Sequence, residues 1–142
     1  VFDGASFAVD AQGVVRARSP FFEPALSLIE VAADGSVRGD LVPWPSQEEQ
    51  AWKALVTGVR DYLGKNGFPG AIIGLSGGVD SALVLAIAVD ALGADKVRAV
   101  MMPSPYTADI SWIDSREMAR RLGVQYDEIP IAPMFDAFRA SL

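Results

Sequence analysis

Gly74-Leu75-Ser76-Gly77-Gly78-Val79-Asp80-Ser81 stands between two apolar runs, Ala71-Ile72-Ile73 before it and Ala82 to Val89 after it. The order reads as strand, glycine-rich turn, helix. Such a turn presents backbone N–H groups at a helix N-terminus, where the macrodipole also favours negative charge. The adjacent glycines Gly77 and Gly78 let a phosphate approach the main chain without meeting a Cβ. Ser76 and Ser81 add hydroxyl donors, and Asp80 adds a carboxylate. A carboxylate beside bound phosphate is repelled unless a cation lies between them. The loop therefore points to a nucleoside triphosphate with Mg²⁺, and Asp80 is the candidate metal ligand.

Three loop chemistries compete for these residues. A Walker A loop needs G-x-x-x-x-G-K-[ST], and no lysine lies between Lys65 and Lys96. A dinucleotide fingerprint needs G-x-G-x-x-G, but Ser76 occupies the place of its second glycine. Gly74-Leu75-Ser76-Gly77-Gly78 does match the G-x-S-x-G elbow of serine hydrolases. That elbow needs a histidine, and the chain has none. It also leaves Asp80-Ser81 without a role. A plain turn joining strand to helix explains an isolated Gly-Gly, but not the whole Ser-Gly-Gly-x-Asp-Ser string.

Outward from the loop, strand and helix alternate. Gly70 to Leu75 is expected as a strand, and Asp80 to Leu92 as a helix stopped by Gly93. That helix is apolar almost all round, which predicts burial against a sheet and a neighbour. Val97 to Met102 reads as the next strand, with Pro103 preventing its regular continuation. Asp109 to Leu122 reads as a helix with Ile110, Ile113, Met118 and Leu122 inward and Gly123 as its stop. Val124 to Ile129 is a third strand, and Pro133 opens a last helix carrying Met134, Phe135, Phe138 and Leu142. The alternation implies an α/β fold with a doubly wound parallel sheet. Ligands of such sheets bind beyond the carboxyl ends of the strands, which brings the loops after Leu75 and Met102 together.

Toward the N-terminus the character changes near residue 45. Ser6 to Asp10, Ala11-Gln12-Gly13 and Val14 to Ser19 read as a hairpin, and Ser27 to Val31 with the turn before Val37 as a second strand and turn. Pro43-Trp44-Pro45 favours extended backbone and reads as a linker. Ser46 then opens a helix, with Glu49 completing a capping box. Its apolar face of Trp52, Leu55, Val56, Val59, Tyr62 and Leu63 reads as core packing, and Gly64-Lys65-Asn66-Gly67 ends it. Arg116, Glu117, Arg120 and Arg121 read as a solvated helix face. Tyr106, Thr107 and Asp109 either turn and cap a helix or line a substrate entrance.

Composition sets bounds on function. The 142 residues are 51% hydrophobic, enough for about one core. A net charge of −6 gives no counterion-release gain on nucleic acid, and no basic amphipathic helix offers a membrane surface. Neither partner is expected. The absence of cysteine removes disulfides, thiolate catalysis and cysteine zinc sites, and is compatible with a cytoplasmic protein. Ala82 to Val89 is too short an apolar run to span a bilayer. The chain begins at Val1 rather than Met, so a processed protein or a piece of a longer one is expected.

Ser76-Gly77-Gly78-Val79-Asp80-Ser81 resembles the SGGxDS loop of the ATP pyrophosphatases, or PP-loop family. Asn66-Gly67-Phe68-Pro69-Gly70, Val79 to Gly93, Val100-Met101-Met102-Pro103-Ser104 with Tyr106-Thr107, and Arg120-Arg121-Leu122-Gly123-Val124 leading into Ile129-Pro130-Ile131 narrow the likeness to glutamine-dependent NAD synthetases. The resemblance covers residues 46–142 well. Residues 1–45 resemble the last strands of that family's nitrilase-like glutaminase domain.

This resemblance implies an adenine nucleotide alpha hydrolase-like synthetase domain over 46–142, incomplete here, after the end of a glutaminase domain and a linker over 1–45. It implies ATP bound by Leu75, Ser76, Gly77, Gly78, Val79, Asp80 and Ser81, with the adenine near Met101 and Met102. In the implied reaction, the carboxylate of nicotinic acid adenine dinucleotide attacks the α-phosphorus of ATP and releases pyrophosphate. Ammonia from glutamine then displaces AMP, and no side-chain nucleophile is needed. The glutaminase cysteine and a downstream acidic metal ligand have no match in this chain, so the piece alone is expected to be inactive. A homo-oligomer is implied for the intact enzyme. Other readings are another ATP pyrophosphatase (an ammonia-dependent NAD synthetase or a GMP synthetase), a serine hydrolase using Ser76, or a non-catalytic adenine-nucleotide binding module.

Overall fold

The computed structural model describes residues 3–141. The chain forms two compact units that divide between Gly58 and Val59, inside one long helix.

The first unit is built on short antiparallel hairpins. Strands β1 (Phe7–Val9) and β2 (Val15–Arg18) pair with Phe7 opposite Arg18, and β3 (Ile29–Val31) and β4 (Val37–Gly39) pair with Ile29 opposite Gly39. The turns fall where glycine permits a positive φ, at Gly13 (77°) and Gly35 (82°). Asp10 fastens the first turn: its carboxylate accepts N–H groups from Gln12 (3.0 Å) and Val14 (2.9 Å) and pairs with Arg16 (2.6 Å). Arg16 is the main cause that holds the Asp10 carboxyl below its ordinary range. The Pro43-Trp44-Pro45 stretch is anchored rather than loose. The Trp44 ring packs against Phe21 at a tilt, with centroids 4.8 Å apart, and lies under the Arg18 guanidinium at 4.9 Å, while Arg18 Nη1 donates to Val42 O.

Helix α1 (Gln47–Lys65) starts at Ser46, whose Oγ accepts the Glu49 N–H at 3.2 Å. The Glu49 carboxylate pairs with Lys53 at 2.8 Å, one turn along. Of the apolar face expected to form core, Val56 is buried, but Leu55 and Tyr62 are exposed. Arg60 caps another helix: its guanidinium donates to the carbonyls of Ala91 (3.1 Å) and Asp90 (3.3 Å), which a helix end leaves unpaired.

The second unit holds the parallel sheet. Strands β5 (Ala71–Gly74), β6 (Val97–Met101) and β7 (Gln125–Glu128) stand in the order β5-β6-β7, with Ala71 beside Val97 and Arg98 beside Gln125. Helix α2 (Val79–Leu92) follows β5, α3 (Asp109–Leu122) follows β6 and α4 (Ala132–Ala140) follows β7. Each crossover is therefore a β-α-β unit, as the alternation predicts. Leu75, Leu85, Ala88, Val97, Ala99 and Ala119 make the core, with Ile73, Met118, Leu122 and Tyr126 against it. Period-2 alternation puts Ile72 and Arg98 on the other face, where Ile72 is 72% exposed. Gly93 and Gly123 end α2 and α3 with positive φ, as read.

Two expectations for helix faces are corrected. Ile110 and Ile113 of α3 do not point inward; both are 59% exposed, and the buried residues of that helix are Ser115 and Ala119. Met118 and Leu122 pack against the core as expected, and the fully buried positions of α3, Ser115 and Ala119, carry small side chains. In α2, Leu85, Ile87, Ala88 and Ala91 are buried, but Val79, Leu83 and Val84 are exposed. In α4, Met134, Phe135 and Phe138 are also exposed; Leu142 lies outside the described residues.

Candidate functional site

The loop from Leu75 to Ser81 sits at the carboxyl end of β5. Leu75 is its root: buried at 2% exposure, with its N–H donating to Val100 O at 2.8 Å. Beyond it the loop closes on itself through two serines. Ser76 N–H donates to Ser81 Oγ (3.2 Å), Gly78 N–H donates to Ser76 Oγ (3.3 Å), and Ser81 Oγ donates to Gly78 O (2.9 Å). The two hydroxyl oxygens are 3.0 Å apart. Because the Ser81 proton is committed to Gly78 O, the proton between the hydroxyls comes from Ser76. The serines read as donors to a ligand thus first fix the shape of the loop.

The glycines differ in purpose. Gly77 has φ +82°, and a Cβ built on it would lie 2.6 Å from both Cα and O of Ser111 in α3. Gly77 is glycine because α3 occupies the space. Gly78 is the N-cap of α2 in extended conformation, and a Cβ there meets only Ser76 Oγ, at 3.4 Å. Its open side is the side a ligand would use. Ala82 N–H is paired with Gly78 O at 3.1 Å. The N–H groups of Val79, Asp80 and Ser81 before it are terminal donors that a helix cannot pair internally. Asp80 and Val79 are both exposed at this end of α2.

A cleft of about 250 Å³ opens beside the loop, lined by Gly74, Leu75, Ser76, Met101, Met102 and Thr107. It joins the two segments that the sheet topology was expected to bring together. Complete ligand sites span roughly 300–1,000 Å³, so this cleft has room for only part of a ligand of that size. Met101 is buried and Met102 is 54% exposed. Thr107, which sequence left ambiguous, closes a turn, its Oγ1 accepting the Ser104 N–H at 2.9 Å, and it also lines the cleft. Asp109 does not cap α3; the N-cap is Ala108.

A network behind Met101 was not legible in the sequence, because its members lie far apart in the chain. The Tyr126 hydroxyl is 3.4 Å from Met101 Sδ and 3.1 Å from Glu128 Oε1, and Arg116 grips Glu128 with two bonds of 2.6 and 2.9 Å. Burial, then Glu128, pushes the Tyr126 phenol up to about 12. Arg116 is therefore tied to β7, whereas Glu117 pairs along its own helix with Arg120 (2.8 Å) and Arg121 (2.7 Å), as read.

Among the described residues, no three acidic, histidine or cysteine side chains cluster as a metal cage. Mg²⁺ often takes only one or two carboxylates together with substrate phosphates. The single carboxylate of Asp80, beside unpaired N–H groups, fits a metal of that kind. The hydrolase reading loses its geometry: Ser76 is engaged with Ser81, and among the described residues the non-glycine positions with positive φ are Ala5 and Phe22, not Ser76. Among the described residues no helix is long and apolar enough to cross a membrane.

Comparison with known proteins agrees with this geometry. The family model described as NAD synthase matches residues 51–142. The glutamine-dependent NAD(+) synthetase of Synechocystis sp. is 46% identical over the whole chain, which covers 26% of that protein. The enzyme of the same name from Acinetobacter baylyi is 44% identical, again over the whole chain and 27% of its own length. The structure of glutamine-dependent NAD+ synthetase from Acinetobacter baumannii in complex with adenosine diphosphate superposes with a TM-score of 0.94 at 42% identity, over the whole chain and 27% of that protein. The chain thus spans about a quarter of the length of these relatives. With the loop, the cleft and the parallel sheet in place, the chain belongs to the NAD synthase family.

Proposed function

We propose that this chain is the ATP-binding part of a glutamine-dependent NAD(+) synthetase. That enzyme amidates nicotinic acid adenine dinucleotide to NAD(+) through an adenylated intermediate, releasing AMP and pyrophosphate, with ammonia from glutamine. The observation that carries the reading is the serine-closed loop at the front of α2 opening onto the Met101–Met102 cleft. The N–H groups of Val79, Asp80 and Ser81 face the phosphates, the open side of Gly78 lets them approach, and Met101 and Met102 give the adenine an apolar wall. Asp80 would hold the metal that ATP brings, which would supply charge neutralisation on the phosphates. The chain's own residues position the α-phosphorus and stabilise charge through N–H donors, and none acts as a nucleophile. Residues 1–45 are the end of a nitrilase-like glutaminase domain with its linker, 46–142 begin the synthetase domain, and the intact enzyme is a cytoplasmic homo-oligomer.

The test is turnover by the full-length protein supplied with ATP, Mg²⁺ and nicotinic acid adenine dinucleotide. AMP, pyrophosphate and NAD(+) are expected in equal amounts, with glutamine or ammonia as nitrogen donor. ATP binding without products would leave a binding module. Turnover with ammonia but not glutamine would favour an ammonia-dependent synthetase.

A further inference from the structure

We propose that Ser111, at the first turn of α3, is a positioning residue for the phosphate loop, and that its small size sets where the loop's N–H donors stand. The inference rests on the ATP-binding reading of the loop. Gly77 is held from two sides. On one side the Ser76–Ser81 hydroxyl pair ties the loop to the front of α2. On the other, a Cβ on Gly77 would lie 2.6 Å from Ser111 Cα, 2.6 Å from its O and 2.9 Å from its Cβ. Two of these three atoms are backbone, so α3 itself is the stop against which the left-handed Gly77 rests. The third atom is Ser111 Cβ, at 2.9 Å, so atoms added beyond it at position 111 would crowd Gly77 from the same side.

The same face of α3 carries Ser115 one turn on and Ala119 two turns on, both buried. Ser115 is at 0% exposure, and its Oγ has no hydrogen-bond partner among the described residues. A buried hydroxyl without a partner is unfavourable, so its presence here marks a seam where size governs. α3 also begins just after the Ser104–Thr107 turn, whose Thr107 lines the cleft. Ser111 therefore joins the two segments of the site: it sets the loop on one side and follows the cleft wall on the other.

The test is steady-state kinetics of the full-length protein with Ser111→Val and Ser111→Ala. Added bulk should push Gly77 and the donors after it away from the phosphates. The KM for ATP in Ser111→Val is expected to rise roughly ten- to a hundredfold, because about 1 Å of misplacement weakens a positioned interaction up to ~10²-fold. The KM for the dinucleotide should stay unchanged, and Ser111→Ala, which keeps the small size, should restore the parent value. A general packing defect would move both KM values together. If Ser111→Val does not fold, Ser111→Thr gives the same comparison with one added methyl group. A folded bulky variant with the parent's ATP KM overturns the inference and leaves the proposed function standing. An unmodified protein with no affinity for ATP removes both.

Discussion

Gly77 and Gly78 are neighbours that lack a side chain for different reasons, and the difference is testable. Gly77 has positive φ and no room, so Gly77→Ala combines left-handed strain of roughly 1–2 kcal/mol with a clash against Ser111. It should lower the melting temperature and nucleotide affinity together. Gly78→Ala meets only Ser76 Oγ at 3.4 Å. It should leave the melting temperature near the parent's while weakening ATP binding, and calorimetry showing unchanged affinity in the folded variant would sink the phosphate-loop assignment. The sequence supported both glycines as phosphate contacts; only coordinates separate them, since nothing in the local string reveals Ser111 more than thirty positions away. Asp80 is a second residue-scale test. Asn keeps its shape and removes its charge, so a helix front loses roughly 0.3–1 kcal/mol of dipole complement. Pyrophosphate release by Asp80→Asn should fall by orders of magnitude if the carboxylate holds Mg²⁺, with partial rescue by added Mg²⁺. A parent-like rate at ordinary Mg²⁺ rules that role out.

At the scale of elements, the strand-loop-helix order was legible because glycines, proline and apolar runs punctuate it. Gly93 and Gly123 stop their helices where expected, and Pro103 lies just past the end of β6. Helix faces were less legible. Periodicity marked Ile110 and Ile113 as inward, yet the buried residues of α3 are Ser115 and Ala119. Hydrophobic spacing tells which residues share a face, not which face a neighbour covers, and close helix-sheet approach rewards small side chains over large ones. Two variants probe this packing. Ser115→Ala removes an unpartnered buried hydroxyl, so the melting temperature should hold or rise; a clear fall would show that the hydroxyl has a partner. Tyr126→Phe removes the hydroxyl shared by Glu128 and Met101. It frees the Glu128 carboxylate for Arg116 alone and loosens Met101 at the cleft, so ATP affinity should fall modestly with little change in fold, as read by calorimetry beside thermal melting.

For the whole molecule, the balance of charge makes an acid-sensitive fold. At neutral pH eighteen acidic side chains outnumber twelve basic ones. The carboxylates of Asp10, Asp61, Asp127 and Glu128 are all held below their ordinary range, chiefly by hydrogen bonds from Arg16, Lys65, Arg98 and Arg116 respectively. Glu117, gripped by Arg120 and then Arg121, is drawn from 4.5 down to about 2. A depressed carboxyl binds protons more readily unfolded than folded, so its stabilisation is present above the unfolded value and disappears as pH falls through the folded one. Stability should therefore drop between about pH 4.5 and pH 2, the window that Glu117 sets. Protonation also leaves twelve positive charges unbalanced, which repel one another in the compact state. Each pair is exposed and individually weak, so the check is a difference. Unfolding midpoints of the full-length protein and its Glu117→Gln variant are compared from pH 7 downward. The variant should be slightly less stable at pH 7, and the gap should close by pH 2. A gap that persists unchanged at pH 2 would mean that the Glu117 charge contributes nothing and that the loss in the variant comes from packing alone.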